Sequence, residues 1–228
     1  MTVKCFLPCR KGSERVPHKN IKPFGNFKNG LIEIKLDQLL KAELIDEVVL
    51  STNDEMILNY AQTIQNPKLR IHKRDDMLCS SNTSTDELIG HALDLISDAA
   101  ILWTHVTSPF VNELDYNKMI ERYFKCLDEG YDSLMTTTLI HGFLWNEKKP
   151  INYDPNKEKW PRTQTIKPIH EVNSAAFLNH ADNYREIGDR IGKKPLLYPL
   201  DKVKSYEIDW QEDFMIAECI YNSGIVKV

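Results

Sequence analysis

Short apolar runs rich in β-branched residues alternate along this chain with segments whose apolar residues recur at helical spacing, and that alternation constrains the fold most. Strands are expected at Val3 to Leu7, Glu47 to Ser51, Leu69 to His72, Ala100 to Val106, Asp132 to Leu139, Ala175 to Leu178 and Leu196 to Leu200. Helices are expected between them. Leu31 to Leu44 aligns Leu36, Leu39, Leu40 and Leu44; Asp54 to Gln65 has Asn53 or Asp54 as its N-cap. Ser84 to Ser97 opens on a capping signature, Ser84-Thr85-Asp86-Glu87, and Glu113 to Glu129 ends at Gly130. Ala181 to Ile187 and Trp210 to Tyr221 complete the set. The βαβα order predicts an α/β fold whose sheet is mostly parallel, with helices on both faces.

Between His141 and Val172 the texture changes. Four prolines (150, 155, 161 and 168) interrupt it, and Phe143, Trp145, Tyr153 and Trp160 are scattered through it. The core is therefore expected at 1–140 and 173–228. Residues 141–172 form an excursion, either a two-stranded arm for self-association or a plain surface insertion.

A chain of 228 residues can bury a large core as one domain. Its net charge of -4 argues against nucleic-acid or membrane partners, which favour a basic bias. Its five cysteines form no C-x-x-C pair, and no close Cys/His pairing suggests zinc. Cys5 and Cys219 lie in apolar contexts and are expected to be buried thiols. No charged, apolar leader or membrane-length apolar run is present, so a cytoplasmic location is expected.

The first strand runs into Arg10-Lys11-Gly12-Ser13-Glu14-Arg15-Val16-Pro17-His18-Lys19-Asn20. No core needs that composition. Gly12 and Ser13 let the backbone approach a ligand closely, while Arg10, Arg15 and Lys19 can neutralise a triphosphate. The spacing is neither the Walker pattern nor G-x-G-x-x-G. A cradle for several phosphates at the carboxyl end of a strand is one reading; a solvated basic loop is the other.

That stretch resembles the R-x-G-S-x-R-x-P-x-K-N signature of the acylneuraminate cytidylyltransferases, the CMP-sialic acid synthetase family within the nucleotidyltransferases. The resemblance continues in order along the chain. It runs through Val48 to Asn53 (V-x-V-S-T-D in the family), His91-Ala92-Leu93, Thr107-Ser108-Pro109, and Asn173 to Ala176 (N-G-A). It ends in Ser205 to Asp213 (S-x-D-I-D-T-x-x-D), with Ala217-Glu218 following. It implies a three-layer nucleotidyltransferase fold with a mostly parallel mixed sheet, and a homodimer whose excursion reaches the neighbouring subunit. It also implies transfer of CMP from CTP to the anomeric hydroxyl of a nine-carbon keto sugar acid, with pyrophosphate leaving.

The resemblance assigns roles residue by residue. Arg10 and Lys19 would be the catalytic charges on the triphosphate. Leu7, Gly12, Ser13, Arg15, Asn20, Arg74 and Ser84 would complete the nucleotide site, although Arg74 could be a surface arginine and Ser84 an N-cap. Asp209, Glu207 and Asp213 would hold Mg²⁺ (or Mn²⁺), with Glu207 standing where the family has Asp. The same residues could simply be an acidic helix N-terminus. On the acceptor side His105 replaces a family glutamine, or is a hydrogen-bonded structural residue. Asn173 keeps its match while Ser174 replaces Gly; Arg162, which could grip a carboxylate, and Gln164 align less closely. The acceptor could therefore be a sialic, legionaminic or pseudaminic acid, an eight-carbon keto sugar acid or a phosphonate. The remaining alternative is a nucleotide-binding homologue without activity.

Overall fold

The computed structural model describes residues 2–80 and 83–228. Its strands are β1 (Val3–Cys9), β2 (Glu47–Thr52), β3 (Leu69–Lys73), β4 (Ala100–Trp103), β5 (Ser133–Ile140), β6 (Ile169–His180) and β7 (Pro195–Leu200). Its helices are α1 (Gly30–Lys41), α2 (Glu55–Gln62), α3 (Thr85–Leu95), α4 (Glu113–Asp128), α5 (Ala181–Ile187) and α6 (Gln211–Asn222). The strands form one sheet in the order β3-β2-β1-β4-β6-β5-β7. Strand β6 runs antiparallel to both neighbours, and every other pair is parallel.

Period-two alternation distributes the strands' side chains between two cores. On β1, Val3, Cys5, Leu7 and Cys9 face α1, α2, α4 and α6, whereas Phe6 faces α3 and α5. The helices begin where side chains can satisfy their free N–H groups. Asp54 accepts from Met56 N, and Ser84–Glu87 and Asn112–Asp115 form reciprocal capping boxes.

From β1 the chain passes through α1 to β2 on one side, while β4 lies on β1's other side. The loops after β1 and β4 therefore diverge at the carboxyl edge of the sheet. Open α/β sheets bind ligands at such a switch point.

Three differences from expectation have physical reasons. Strand β4 stops at Trp103, short of Val106, because the chain turns there toward α1. The buried Lys35 Nζ donates to the carbonyls of Ser108 and Val111, and Gln38 Nε2 donates to Pro109 O. Strand β6 starts six residues earlier than its apolar run, because Ile169–Val172 pair only with β5 beyond the end of β4. Little apolar surface is buried there, and Glu171 and Val172 are exposed. Cys219 is exposed, not buried, since α6 buries only Phe214 and Ala217.

Residues 141–168 continue from the protruding β5–β6 ends. Phe143 packs edge-on against Tyr153 and Trp160, and the Trp145 indole donates to Tyr153 OH at 2.9 Å. Trp145, Ile151 and Trp160 are exposed.

Candidate active site

The loop after β1 is shaped by two left-handed residues, Gly12 (φ 79°) and His18 (φ 54°). No atom of the described residues crowds the position of a Cβ at Gly12. Within the protein its requirement is thus conformational, and the space beside it stays open. Asn53, just past β2, accepts from Lys11 N at 2.8 Å, and Asn20 Nδ2 donates to Arg10 O at 3.2 Å. So anchored, the loop walls a polar cavity of about 360 Å³. Arg10, Ser13, Arg15, Lys19, Asn20 and His105 are among its lining residues. Leu7 is fully buried beneath the loop, its side chain in the core.

Lys19 is the buried cation of this wall, only 7% exposed. Its Nζ donates to Ile208 O at 2.8 Å and lies 3.6 Å from Asp209 Oδ1. Burial lowers its pKa, and the Asp209 carboxylate opposes that shift. Arg15 pairs with the same carboxylate at 3.1 Å while stacking over Trp210 at 5.0 Å. The residues at 10–19 and at 209 thus meet across the whole length of the chain. Asp213 accepts from the backbone N–H of Asp209 and Trp210, so it closes the first turn of α6 and orients Asp209.

Glu207 points elsewhere. Its Oε1 accepts from Ser108 Oγ at 3.1 Å and from Ser174 N at 2.6 Å. Burial raises its pKa, against the pull of those hydrogen bonds. Ser174 lies where the β5–β6 register breaks, between Met135 and Thr137. Asn173 shapes that irregularity, donating to Thr138 Oγ1 and accepting from Ala175 N. Bulges of this kind commonly aim groups at sites.

A second cavity of about 240 Å³ adjoins the first through Pro8, Arg10 and His105, which line both. Arg74, Leu78, Ser80, Thr83 and Leu88 complete it. Arg74 is buried and donates through Nε to Cys79 Sγ at 3.0 Å. The Ser84 hydroxyl is engaged with Glu87 in the cap of α3.

His105 stands between the cavities. Its Nε2 accepts from the Trp103 indole N–H at 2.9 Å, leaving Nδ1 to carry the proton. Burial, with Arg190 and Lys19 nearby, pushes its pKa down to about 3, so it is neutral across the physiological range. Arg162 and Gln164 lie apart from these groups, exposed in the 141–168 segment.

Two residues that the sequence reading passed over matter here. Lys35 occupies the apolar i, i+4 row Leu31–Lys35–Leu39, a pattern that signals a buried, committed amine. It straps the Thr107–Val111 turn and also donates to Tyr116 OH. Arg190 stacks on Phe177 and Trp103 and exerts the largest charge effect on His105. It follows α5 in a loop without any recognisable motif.

Among the described residues, no three His, Cys, Asp or Glu side chains form a preformed metal cage. Mg²⁺ at a nucleotide does not need one, since it takes one or two carboxylates alongside phosphates and water. The donor set fits that mode. Asp209 is half-exposed beside the phosphate-sized cavity, and its hydrogen bond and ion pairs are made through Oδ1. Glu207 lies close enough to feel its charge.

A basic, glycine-bearing loop at the switch point of a mixed sheet, faced by a carboxylate, defines an α/β nucleotidyltransferase. The chain belongs to the cytidylyltransferase family, whose model matches residues 5–223, and it is a CTP-dependent nucleotidyltransferase. It is 23% identical over 227 residues to a pseudaminic acid cytidylyltransferase of Campylobacter jejuni, covering 95% of each chain. It is 22% identical to an N-acylneuraminate cytidylyltransferase of Escherichia coli, covering 93% of this chain and 50% of that protein. Its fold is similar to a CMP:2-keto-3-deoxy-manno-octonic acid synthetase complexed with CTP (TM-score 0.68, 12% identity, 99% and 100% of the two chains). It is also similar to a 4-diphosphocytidyl-2C-methyl-D-erythritol synthase from Anaerococcus prevotii (TM-score 0.65, 15% identity, 97% and 96%). Among the described residues, no helix is long and apolar enough to cross a membrane.

Proposed function

We propose that this chain transfers CMP from CTP to the anomeric hydroxyl of an acidic nonulosonic keto sugar, of the sialic or pseudaminic type, for cell-surface glycan synthesis. The observation that carries the reading is the pair of cavities joined at Arg10 and His105. One has the size and apolar flank for a base, and the other has the cations for a triphosphate. The likeness over nearly full length to pseudaminic acid cytidylyltransferase supports the acceptor class.

In this reading cytosine sits in the Arg74 cavity and the phosphates lie along Arg10, Ser13, Arg15 and Lys19. The anomeric oxygen attacks the α-phosphorus in line and loses its proton to solvent water. The bond from that phosphorus to the bridging oxygen breaks, and pyrophosphate departs. The protein's contribution is positioning and charge neutralisation. Arg10 and Lys19 meet charge growing on the leaving phosphates, and Lys19 is pre-aimed by its bond to Ile208 O. A divalent cation, Mg²⁺ or Mn²⁺, would add charge neutralisation at the phosphates, held by Asp209 with Glu207 beside it and Asp213 steadying the turn. His105 offers Nδ1–H as a neutral donor between nucleotide and acceptor. The exposed aromatics of 141–168 suit a homodimer whose arm, carrying Arg162 and Gln164, reaches the neighbouring subunit. The enzyme would work in the cytoplasm, where CTP is made.

The test is pyrophosphate release from CTP and Mg²⁺ with pseudaminic acid, N-acetylneuraminic acid, 2-keto-3-deoxy-manno-octonic acid and a phosphonate. Release with a nonulosonic acid is expected. Release only with another acceptor overturns the substrate class, and none with any acceptor overturns the reaction.

A further inference from the structure

We infer that Arg190 is the carboxylate-binding residue of the acceptor site, gripping the acid group of the incoming sugar. The inference rests on the acidic-acceptor reading above. Three guanidiniums near the carboxyl edge of the sheet form no ion pair among the described residues: Arg10, Arg74 and Arg190. Arg10 lines both cavities and Arg74 lines the second, so the nucleotide accounts for them. Arg190 is left without an anion.

Its setting is built, not incidental. Trp103 and Phe177 are register partners on β4 and β6, and the guanidinium carbon lies 5.2 Å and 4.0 Å from their ring centroids. Asn179 Nδ2 donates to Arg190 O at 3.4 Å, and Asp189 accepts from Ile191 N, which ties down the backbone on either side. Lying over two rings holds the guanidinium in place and offsets part of the cost of its partial burial. Among the described residues no acceptor meets its side-chain N–H donors, and a carboxylate satisfies two of them at once.

The stacked Trp103 also donates to His105, so the guanidinium, the indole and the imidazole form a continuous run to the edge of both cavities. The alternatives for holding an acid are weaker. His105 carries no charge at neutral pH. Glu207, whose charge Arg190 senses, is bound by Ser108 and Ser174 and makes no ion pair with it. Arg162 is exposed in the 141–168 segment.

The experiment compares wild type, Arg190→Met and Arg190→Lys, with pseudaminic acid, N-acetylneuraminic acid and their C1-amides as acceptors for CTP. For Arg190→Met, KM for the acid should rise about 10- to 100-fold, the range of a charge-assisted hydrogen-bond pair. KM for CTP should stay within about twofold, because the nucleotide residues are untouched. The wild-type preference for acid over amide should collapse in Arg190→Met and be partly restored in Arg190→Lys. A purely structural role would weaken acid and amide alike, so an unchanged preference in Arg190→Met overturns the inference. If Arg190→Met does not fold, the test passes to Arg190→Lys: a reduced preference supports the inference and a wild-type preference overturns it. Equal use of acid and amide by the wild-type enzyme overturns it without any variant. Failure of the wild type to release pyrophosphate with every acceptor removes the underlying reading itself, an outcome distinct from all of these.

Discussion

The proposed nucleotide end and the proposed acceptor end of the cleft are assembled differently. At the nucleotide end, Arg10, Gly12, Ser13, Arg15, Lys19 and Asn20 come from one loop, answered by a single distant carboxylate, Asp209. At the proposed acceptor end, His105, Ser174 and Arg190 come from three separate segments, held by an indole, a strand irregularity and the Glu207 carboxylate that Ser174 N meets. The first is a motif; the second exists only after folding. The first can be altered one cation at a time, whereas a change in the second travels through shared hydrogen bonds.

The largest effect should come from the nucleotide end. Lys19→Ala removes a buried cation and leaves Asp209 facing Arg15 alone. Turnover should fall by about 10²- to 10³-fold, the loss typical of one electrostatic transition-state donor. Single-turnover pyrophosphate release measures it, and wild-type rates would dissolve the distinction between the two ends. Asp209→Asn should reduce turnover by about 10²-fold and move the Mg²⁺ titration to higher concentration. An unmoved titration would leave Asp209 as only the partner of Arg15 and Lys19.

At the acceptor end, His105→Gln should change KM for the acceptor by about 3- to 10-fold while leaving KM for CTP nearly unchanged. A CTP effect as large as the acceptor effect would merge the two ends at His105. The pH dependence of stability follows from the same residue. In the folded state His105 titrates near 3 and His91 near 4, whereas both titrate near 6.5 when unfolded. Between those values the unfolded chain binds more protons. Stability is therefore fully present above pH 6.5 and declines on acidification toward pH 3 to 4. From pH 6.5 to 4.5 each histidine should cost about 2 kcal/mol, and His105→Gln should remove its share. Urea midpoints measured across that range give the slope; parallel slopes for variant and wild type would show that His105 titrates normally.

The same contrast explains what the sequence made legible. Among the described residues, the seven strands and six α-helices were readable, because each combines a periodic apolar pattern with a cap or a turn signal. The β1 loop was readable because its chemistry is contiguous. Strand β6 was read at a third of its length, since Ile169–Asn173 extend past the core and carry no buried stripe. Arg190 was silent because contact with rings on β4 and β6 leaves no local mark; the N-G-A match marked Ser174, but not the register break that turns its N–H toward Glu207. Lys35 did leave one, a lysine in an apolar row of α1. Asp213 and Ser84 carry two signals at once: the family pattern implies ligands there, and the local hydrogen bonds use both in helix caps.

Ser84 gives the smallest and most discriminating effect. Its Oγ accepts from Glu87 N at 3.1 Å and donates to Glu87 Oε2 at 2.9 Å, and that same carboxylate oxygen accepts from Ser84 N at 2.7 Å. A hydroxyl so occupied is positioned to hold α3, which carries Leu88 into the second cavity and His91 against Ser51. Ser84→Ala should therefore cost about 1 kcal/mol, the usual loss for an N-cap, and lower Tm by about 2 to 4 °C for a chain of this size. KM for CTP should change by less than about twofold, because Arg74 and Leu78 remain in place. The opposite pattern, a large rise in KM for CTP with Tm unmoved, would return Ser84 to the base site and extend the nucleotide end beyond its loop.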